Sequence, residues 1–200
     1  AVKAFLNNTI TLSDGVYPWC RGVVKIPTRG GKTGVASRLI DSFGVKTLYV
    51  VERLDALYQT QEEFQQWSDL PTGLIGDGIF ELSTVTFCML QSVRHKLKEL
   101  TEYFKTIRFL LFDECHKIST NDYHKIALKC VNADVRIGVS GTPLARSDVG
   151  DVVLIGTTGE IVVDVPRKLL EDQGYVAKAR VMFFPITSPV REREKYQTAY

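Results

Sequence analysis

Short apolar runs alternate along this chain with longer segments in which apolar residues recur every three or four positions. The apolar runs predict strands at 23–26, 47–51, 85–90, 109–112 and 135–139. The segments of longer period predict helices at 1–10, 33–43, 54–67, 91–104 and 121–130. Turn-forming residues predict loops at 11–21 and 71–78. This alternation predicts an α/β fold with a mostly parallel central sheet, whose ligands bind at the carboxyl ends of the strands.

Composition and charge narrow the class of protein. The 200 residues are 44% hydrophobic and 24% charged, as in a soluble globular domain. The formal net charge of +2 is too small to indicate nucleic-acid binding by itself, although a local basic patch would still permit it. No apolar run approaches the roughly 18 residues of a membrane span, so we predict no membrane partner and a cytoplasmic location.

The cysteines do not form a metal-binding pattern. Cys20, Cys88, Cys115 and Cys130 include no Cys-x-x-Cys pair, and the three histidines do not complete a zinc site. Most of these cysteines lie in or beside apolar runs. We therefore predict buried free thiols in a reducing compartment.

The first predicted strand ends at Ile26 and runs into a loop with two adjacent glycines. Glycines let backbone N–H groups close around phosphate oxygens, and the helix that follows points its positive end at the same anion. Lys32 is placed to reach the outer phosphates of a bound nucleotide, and the hydroxyl of Thr33 to bind Mg²⁺. The predicted phosphate-binding loop consists of Pro27, Thr28, Arg29, Gly30, Gly31, Lys32 and Thr33.

Two adjacent carboxylates end the most apolar strand, where the sequence reads FLLFDECH. Such a pair is costly at the end of a buried strand unless it faces a cation or water. We predict that Asp113 holds Mg²⁺ together with Thr33, and that Glu114 orients and deprotonates the attacking water. An acidic surface turn is the alternative for an isolated pair, but the phosphate-binding loop upstream favours a catalytic site.

The next strand ends in Ser140-Gly-Thr-Pro. The hydroxyls of Ser140 and Thr142 are expected at the same edge of the sheet as the phosphate-binding loop and Glu114, because the strands are parallel. A plain strand-to-loop turn is the simpler interpretation of this segment taken alone.

The segments IPTRGGKT, DECH and SGTP, in this order and spacing, resemble motifs I, II and III of superfamily 2 helicases. The loop is similar to the version in which Pro replaces the first glycine, although Arg29 stands where that version usually has Gly. The likeness is greatest to the DECH-box group that holds the phage UvsW-type branch-migration helicases and related repair helicases. The resemblance implies a RecA-like three-layer sandwich that binds ATP and Mg²⁺.

The same resemblance implies an ATP-dependent DNA helicase or translocase acting in replication, recombination or repair, in the host cytoplasm if a phage encodes it. Lys32, Asp113 and Glu114 would be catalytic. The family couples the nucleotide site to motif III through positions that match His116, Ser140 and Thr142.

Two further stretches resemble segments that contact nucleic acid in relatives. Residues 48–64 resemble motif Ia, with Arg53 and Gln59 on matching positions, and residues 75–78 followed by 85–93 resemble the stretch that contacts the backbone. Contacts of this kind fall mostly on phosphates and are indifferent to sequence. The resemblance implies nucleic-acid contacts near Arg53, Gly76, Gly78 and Gln91.

The domain organisation follows from the same comparison of motifs. Residues 1–165 are predicted to be a first RecA-like domain that begins too late to contain the family's glutamine motif. Residues 166–200 are predicted to lead toward a second RecA-like domain, which supplies arginine fingers in this family. The expected partners are therefore DNA, whether branched, duplex or single-stranded, and that second domain, and the 200 residues alone are expected to be inactive.

Other functions stay open at this stage. The chain could be the translocase domain of a restriction or remodelling enzyme, or an RNA helicase. A P-loop kinase or a nucleotide-binding regulatory module would show no stimulation by DNA. DECH and SGTP together argue against this last class.

Overall fold

The computed structural model describes residues 9–12, 15–18, 20–117, 121–144, 150–178 and 182–184. Its strands are β1 (Thr9–Leu12), β2 (Gly15–Pro18), β3 (Arg21–Lys25), β4 (Thr47–Val51), β5 (Thr72–Gly76), β6 (Ile79–Phe80), β7 (Val85–Met89), β8 (Phe109–Asp113), β9 (Val135–Ser140) and β10 (Ile161–Asp164). Its helices are α1 (Lys32–Phe43), α2 (Leu54–Gln65), α3 (Leu90–Arg94), α4 (Thr101–Thr106), α5 (Asn121–Lys129), α6 (Gly150–Thr158) and α7 (Arg167–Asp172). A 3₁₀ turn covers Cys115–Lys117.

The central sheet has the strand order β10-β3-β9-β8-β4-β7-β5-β6. Every neighbouring pair in it is parallel except β5 and β6, which confirms the predicted mostly parallel α/β fold. Lys25 pairs with Ser140, and Asp113 pairs with Val139. The carboxyl ends of β3, β9 and β8 therefore lie side by side at the same end of the sheet. The three loops that carry the motifs follow these strand ends and so lie together.

Helices cover both faces of this sheet, as expected for strands that are apolar throughout. Along β8, Leu110 and Phe112 face a core shared with α3, α4 and α5, whereas Phe109 and Leu111 face a core shared with α1 and α2. All four side chains are fully buried. The sheet is thus the middle layer of a three-layer sandwich.

Most of the predicted elements are confirmed within a residue or two, including β4, β8 and α5. All four cysteines are buried free thiols, as predicted. No helix within the described ranges combines the length and apolarity that crossing a bilayer requires.

The chain before β3 differs from the prediction. Thr9 and Ile10 belong to β1 of an antiparallel hairpin with β2, where a helix over 1–10 and a turn-rich loop over 11–21 were predicted. The rest of that predicted helix, residues 1–8, lies outside the described residues.

The helix predicted at 91–104 is two short helices joined by turns. Leu90 and Val93 are buried in α3, and Tyr103 and Phe104 in α4. Between them, residues 94–99 are charged and exposed apart from the half-buried Leu97. A continuous helix would have too little apolar surface there to hold it against the sheet.

The loop predicted at 71–78 is wrong, because residues 72–76 form β5 inside the sheet. Glycine is rare in strands unless another backbone approaches closely. At Gly73 a Cβ would lie 2.4 Å from the carbonyl oxygen of Glu81 and 3.0 Å from the nitrogen of Ser83. The glycine marks this close approach of backbone, not a turn.

We expect Gly73→Ala to lower the free energy of unfolding by roughly 1–3 kcal/mol, because a Cβ would have to displace backbone atoms. Gly156→Ala is the matched control, since Gly156 is exposed in α6 and a Cβ there meets nothing within 4 Å. It should be neutral or stabilising by up to about 1 kcal/mol. Urea unfolding of both variants checks this, and equal stabilities would contradict the close packing.

Three elements after residue 149 were not predicted individually. Strand β10 extends the sheet beside β3, with Lys25 Nζ 2.9 Å from Asp164 and the backbone N–H of Val165 donating to the Lys25 carbonyl at 2.9 Å. Helix α7 then packs Leu170 against the loop that follows β3. The chain after β9 thus supports the phosphate-binding loop from the outside.

Candidate nucleotide site and the adjoining rim

The loop between β3 and α1 is a tight turn that leads directly into a helix N-terminus. The backbone N–H of Gly30 donates to the Pro27 carbonyl at 2.9 Å, and Arg29 and Gly31 have φ of 64° and 81°. Helix α1 begins at Lys32 with Gly31 as N-cap and no side-chain cap. The first N–H groups of a helix need partners from outside it, and phosphate oxygens suit them.

Close packing explains the middle glycine of the loop. A Cβ on Gly30 would lie 2.7 Å from Ile26 Cγ2, 2.8 Å from Leu170 Cδ1 and 2.9 Å from the Pro27 carbonyl oxygen. Ile26 stands where the general phosphate-loop pattern has glycine, and its side chain is buried in the core. The loop is therefore held between the core and α7.

A cavity of about 440 Å³ opens between the loop, helix α2 and the end of β8. Its lining residues are Thr28, Arg29, Gly31, Lys32, Thr33, Ala56, Gln59, Thr60, Glu63 and Asp113. The structure thus brings Asp113 together with Lys32 and Thr33, which lie about 80 residues earlier in the sequence. Pro27 and Gly30 do not line the cavity but hold the shape of the loop.

Asp113 fits a role in binding a divalent cation. Burial raises the pKa of its carboxyl, as does the charge of Glu114, whereas Lys32 opposes the rise. The N–H of Glu114 donates to Asp113 Oδ1 at 2.9 Å. Among the described residues, no three His, Cys, Asp or Glu side chains are arranged so that they could hold a metal ion by themselves. Mg²⁺ suits such a site, because it uses one or two carboxylates and keeps several waters.

Glu114 contacts the loop lysine directly. Its Oε1 accepts a hydrogen bond from Lys32 Nζ. The backbone of Glu114 is left-handed, with φ of 47°, a conformation that costs a non-glycine residue of order 1 kcal/mol or more. Strain of this kind at a functional site indicates that the position of the carboxylate is over-determined by its surroundings.

A chain of polar contacts leads from Glu114 to the end of β9. His116 Nδ1 lies 2.9 Å from Ser140 Oγ and 3.4 Å from Glu114 Oε2. The hydroxyl of Ser140 lies 3.4 Å from Glu114 Oε2, and it accepts a hydrogen bond from the backbone N–H of Thr142 at 3.2 Å. The side chain of Ser140 is buried, whereas Thr142 is exposed and takes part through its backbone. The residues predicted to couple the motifs are therefore in contact.

The residues predicted to contact nucleic acid do not all lie together. Gly76 and Gly78 line a cavity of about 190 Å³ between the β5–β6 turn and α3. Gly76 is packed beneath Leu57, whereas a Cβ on Gly78 would meet nothing within 4 Å. Arg53 and Gln91 are exposed and do not line this cavity, and Arg53 Nη2 is paired with Asp55 at 3.0 Å.

Sequence reasoning missed the contribution of α2 to the nucleotide cavity. Ala56, Gln59, Thr60 and Glu63 line it, with Gln59 Nε2 donating to Glu63 Oε1 at 2.9 Å. Their spacing of three and four places them on one face of a helix. That spacing is the signal in the sequence, whereas the resemblance matches Gln59 to motif Ia and not to the nucleotide site.

A second ion pair lies close to these motifs. Lys117, which follows His116, bonds to Glu52 at the end of β4. It ties the 3₁₀ turn after β8 to the neighbouring strand.

Comparison with known proteins identifies a family model and several relatives that this chain matches. The family model described as the type III restriction enzyme, res subunit, matches residues 3–145. The chain is 29% identical over 189 residues to the DNA 3'-5' translocase XPB2 of Sulfurisphaera tokodaii, covering 92% of this chain and 41% of that protein. It is 28% identical over 194 residues to the DNA 3'-5' helicase XPB of Kineococcus radiotolerans, covering 93% and 34%.

A solved structure supports the same fold. The UvsW helicase from bacteriophage T4 superposes with a TM-score of 0.61 at 22% sequence identity, covering 74% of this chain and 55% of that one. At this identity the likeness bears on the fold alone. The present chain spans less than half the length of the two curated relatives.

Proposed function

Because this chain belongs to the type III restriction enzyme res subunit family, we propose that it is the ATP-binding half of a DNA helicase or translocase. The observation that carries the proposal is the single cavity shared by Lys32, Thr33 and Asp113. Lys32 and Thr33 begin helix α1 just after β3, and Asp113 ends β8. Both strands pair with β9 in parallel, and this register brings the three residues together. Glu114 is next to this cavity, because its carboxylate accepts a hydrogen bond from Lys32.

Each residue has a separate task in this proposal. The N–H groups of the loop and of the first turn of α1 bind phosphate oxygens, and Lys32 binds the outer phosphates. Asp113 and Thr33 would hold Mg²⁺, which would supply positive charge to neutralise the phosphates. Glu114 orients the attacking water and accepts its proton.

His116 and Ser140 hold the Glu114 carboxylate in position and connect it to the loop after β9. His116 and Ser140 both lie within 3.4 Å of Glu114 Oε2, so they can fix the direction of that oxygen. Because Ser140 also accepts from the N–H of Thr142, a shift of the carboxylate would be felt in the loop after β9. We propose that this chain of contacts couples hydrolysis to movement along DNA.

DNA is the proposed substrate, because the curated relatives above are named as DNA helicases or translocases. We propose that it crosses the rim at Gly76 and Gly78 and near Arg53 and Gln91. The process served would be replication, recombination or repair, in the cytoplasm of the cell or of a phage-infected host. Residues 1–165 would be the first RecA-like domain, and 166–200 would lead to a second.

The family name favours one alternative role, the translocase of a restriction enzyme. The motor chemistry would be the same in both roles. A nuclease domain encoded in the same gene would distinguish them.

We expect Lys32→Ala to weaken the binding of Mg²⁺ and a non-hydrolysable ATP analogue by at least ten-fold, because a hydrogen bond to a charged group contributes about 1.5–3 kcal/mol. Titration calorimetry measures this affinity. Lys25→Ala is the control, since Lys25 pairs with Asp164 and lies outside the cavity. Equal affinities of Lys32→Ala and wild type would contradict the proposed nucleotide site.

A further inference from the structure

An exposed apolar edge lies beside the proposed DNA path. Ile79 and Phe80, in the short edge strand β6, are 39% and 44% exposed, and Leu82 just after it is 44% exposed. We call the surface formed by Gly76, Gly78, Ile79, Phe80, Ser92 and Lys96 the hairpin rim, and these residues line one cavity together with Ile75. Exposed apolar side chains gathered at the edge of a sheet indicate a binding surface.

The ammonium group of Lys96 lies against the aromatic ring of Phe80 in the hairpin rim. Lys96 Nζ lies 4.7 Å from the centre of the Phe80 ring. The nearby carboxylate of Asp77 accepts a hydrogen bond from the Tyr58 hydroxyl at 3.0 Å, which ties it to α2. An exposed aromatic ring with an ammonium group over one of its faces matches a nucleotide, which joins a flat base to a phosphate.

The backbone beside the ring is accessible. Asp77 and Gly78 have φ of 50° and 77°, and a Cβ on Gly78 would enter open space. No side chain at Gly78 therefore obstructs a strand that approaches the ring. The rim also lies at the carboxyl end of β5, on the edge of the sheet that carries the nucleotide cavity.

We propose that Phe80 stacks on an unpaired base of DNA and that Lys96 binds a neighbouring phosphate. This inference rests on the proposed DNA-binding function and adds the kind of DNA bound. Bases inside a duplex have their faces covered by their neighbours, so a stacking side chain selects single-stranded or forked DNA. The selection is tolerant of sequence, because every base has an aromatic face.

The alternative occupant is a protein segment. A cavity of about 190 Å³ is small for a peptide, and specific protein interfaces bury about 1,000 Å² or more in total. The lysine beside the ring also favours a phosphate-bearing ligand. Binding of oligonucleotides by variants of Phe80 separates these two occupants.

The test measures binding of this chain to labelled oligonucleotides by fluorescence anisotropy at fixed low salt. The probes are a single strand of mixed sequence and a blunt duplex of the same length. We expect Phe80→Ala to weaken single-strand binding by roughly five-fold to a hundred-fold and to leave duplex binding nearly unchanged. Phe80→Trp should restore single-strand binding, whereas Phe80→Leu, which keeps apolar bulk without a ring, should not.

Leu82→Ala is the matched control, because Leu82 has the same exposed fraction as Phe80 but does not line the rim. It should bind both probes as wild type does. Lys96→Ala should lower the slope of log affinity against log salt for the single strand by about one. Thermal melting of every variant identifies loss of fold, and Phe80→Leu serves where Phe80→Ala unfolds.

The outcomes separate this inference from the proposed function. Wild-type binding to DNA that Phe80→Ala and Phe80→Leu leave unchanged would overturn the stacking site and leave the proposed function standing. Full binding by Phe80→Leu alone would also overturn it, because apolar packing would then suffice. A wild-type chain that binds neither probe would contradict the proposed function itself. Photo-crosslinking of 5-iododeoxyuridine to Phe80 would support stacking directly, and crosslinks confined to other segments would count against it.

Discussion

The 200-residue chain alone should hydrolyse ATP at least about a thousand-fold more slowly than the same chain continued through its proposed second RecA-like domain. Among the described residues, the cations that line the nucleotide cavity are Arg29 and Lys32. Lys32 also bonds to Glu114. Both of these cations come from the loop and the start of α1, on the same side of the cavity. An arginine finger that reaches the opposite side of the transferred phosphoryl group contributes roughly 10³ to 10⁵ in rate.

Steady-state hydrolysis by the two proteins, with and without DNA, measures this difference. Calorimetry with an ATP analogue and Mg²⁺ is the control, because the cavity, the phosphate-binding loop and Asp113 are all present in the shorter chain. We expect measurable but weak binding by the short chain. Robust DNA-stimulated turnover by the 200 residues alone would mean that the active site is complete within them.

Glu114→Gln in the two-domain protein should reduce kcat by about a hundred-fold or more while ATP still binds. The amide has nearly the shape of the carboxylate, so contacts to Lys32, His116 and Ser140 can persist in part. It cannot accept the proton of the attacking water. Loss of turnover with retained affinity is therefore the signature of a missing base, not of a damaged fold.

A neighbouring glutamate provides a matched control for that experiment. The side chains of Glu52 and Glu114 are 37% and 38% exposed, and each is paired with a lysine. Glu52→Gln removes a similar charge from the same edge of the sheet without touching the cavity, so its turnover should stay within a few-fold of wild type. Turnover of Glu114→Gln at that level would assign the base to another residue.

The strands near the motifs could be predicted from sequence because burial on both faces makes them apolar throughout. FLLF and TLYVV can be little else in an α/β sheet, and they became β8 and β4. The order of motifs along the chain then placed Lys32 and Asp113 at one edge. These residues are close in space because β3, β9 and β8 pair in parallel and end at the same level.

Other features depend on contacts that no local pattern contains. β5 was missed because Gly73 serves a close backbone approach, and glycine in sequence indicates a turn as readily. The packing of Leu170 on Gly30 joins residues from opposite ends of the described chain. The cavity wall formed by α2 depends on how that helix docks, which its own periodicity leaves open.

The central claim, that this chain is the ATP-binding half of a DNA motor, is tested most directly by the nucleic-acid dependence of ATP hydrolysis in the two-domain protein. Single-stranded, forked and duplex DNA and RNA would be compared at saturating ATP and Mg²⁺. We expect turnover to rise on addition of DNA, more with single-stranded or forked DNA than with blunt duplex or RNA, and to be lost in Lys32→Ala and Glu114→Gln. Hydrolysis indifferent to every nucleic acid, or transfer of the phosphoryl group to a small hydroxyl compound, would contradict the account and indicate a P-loop kinase or regulatory module.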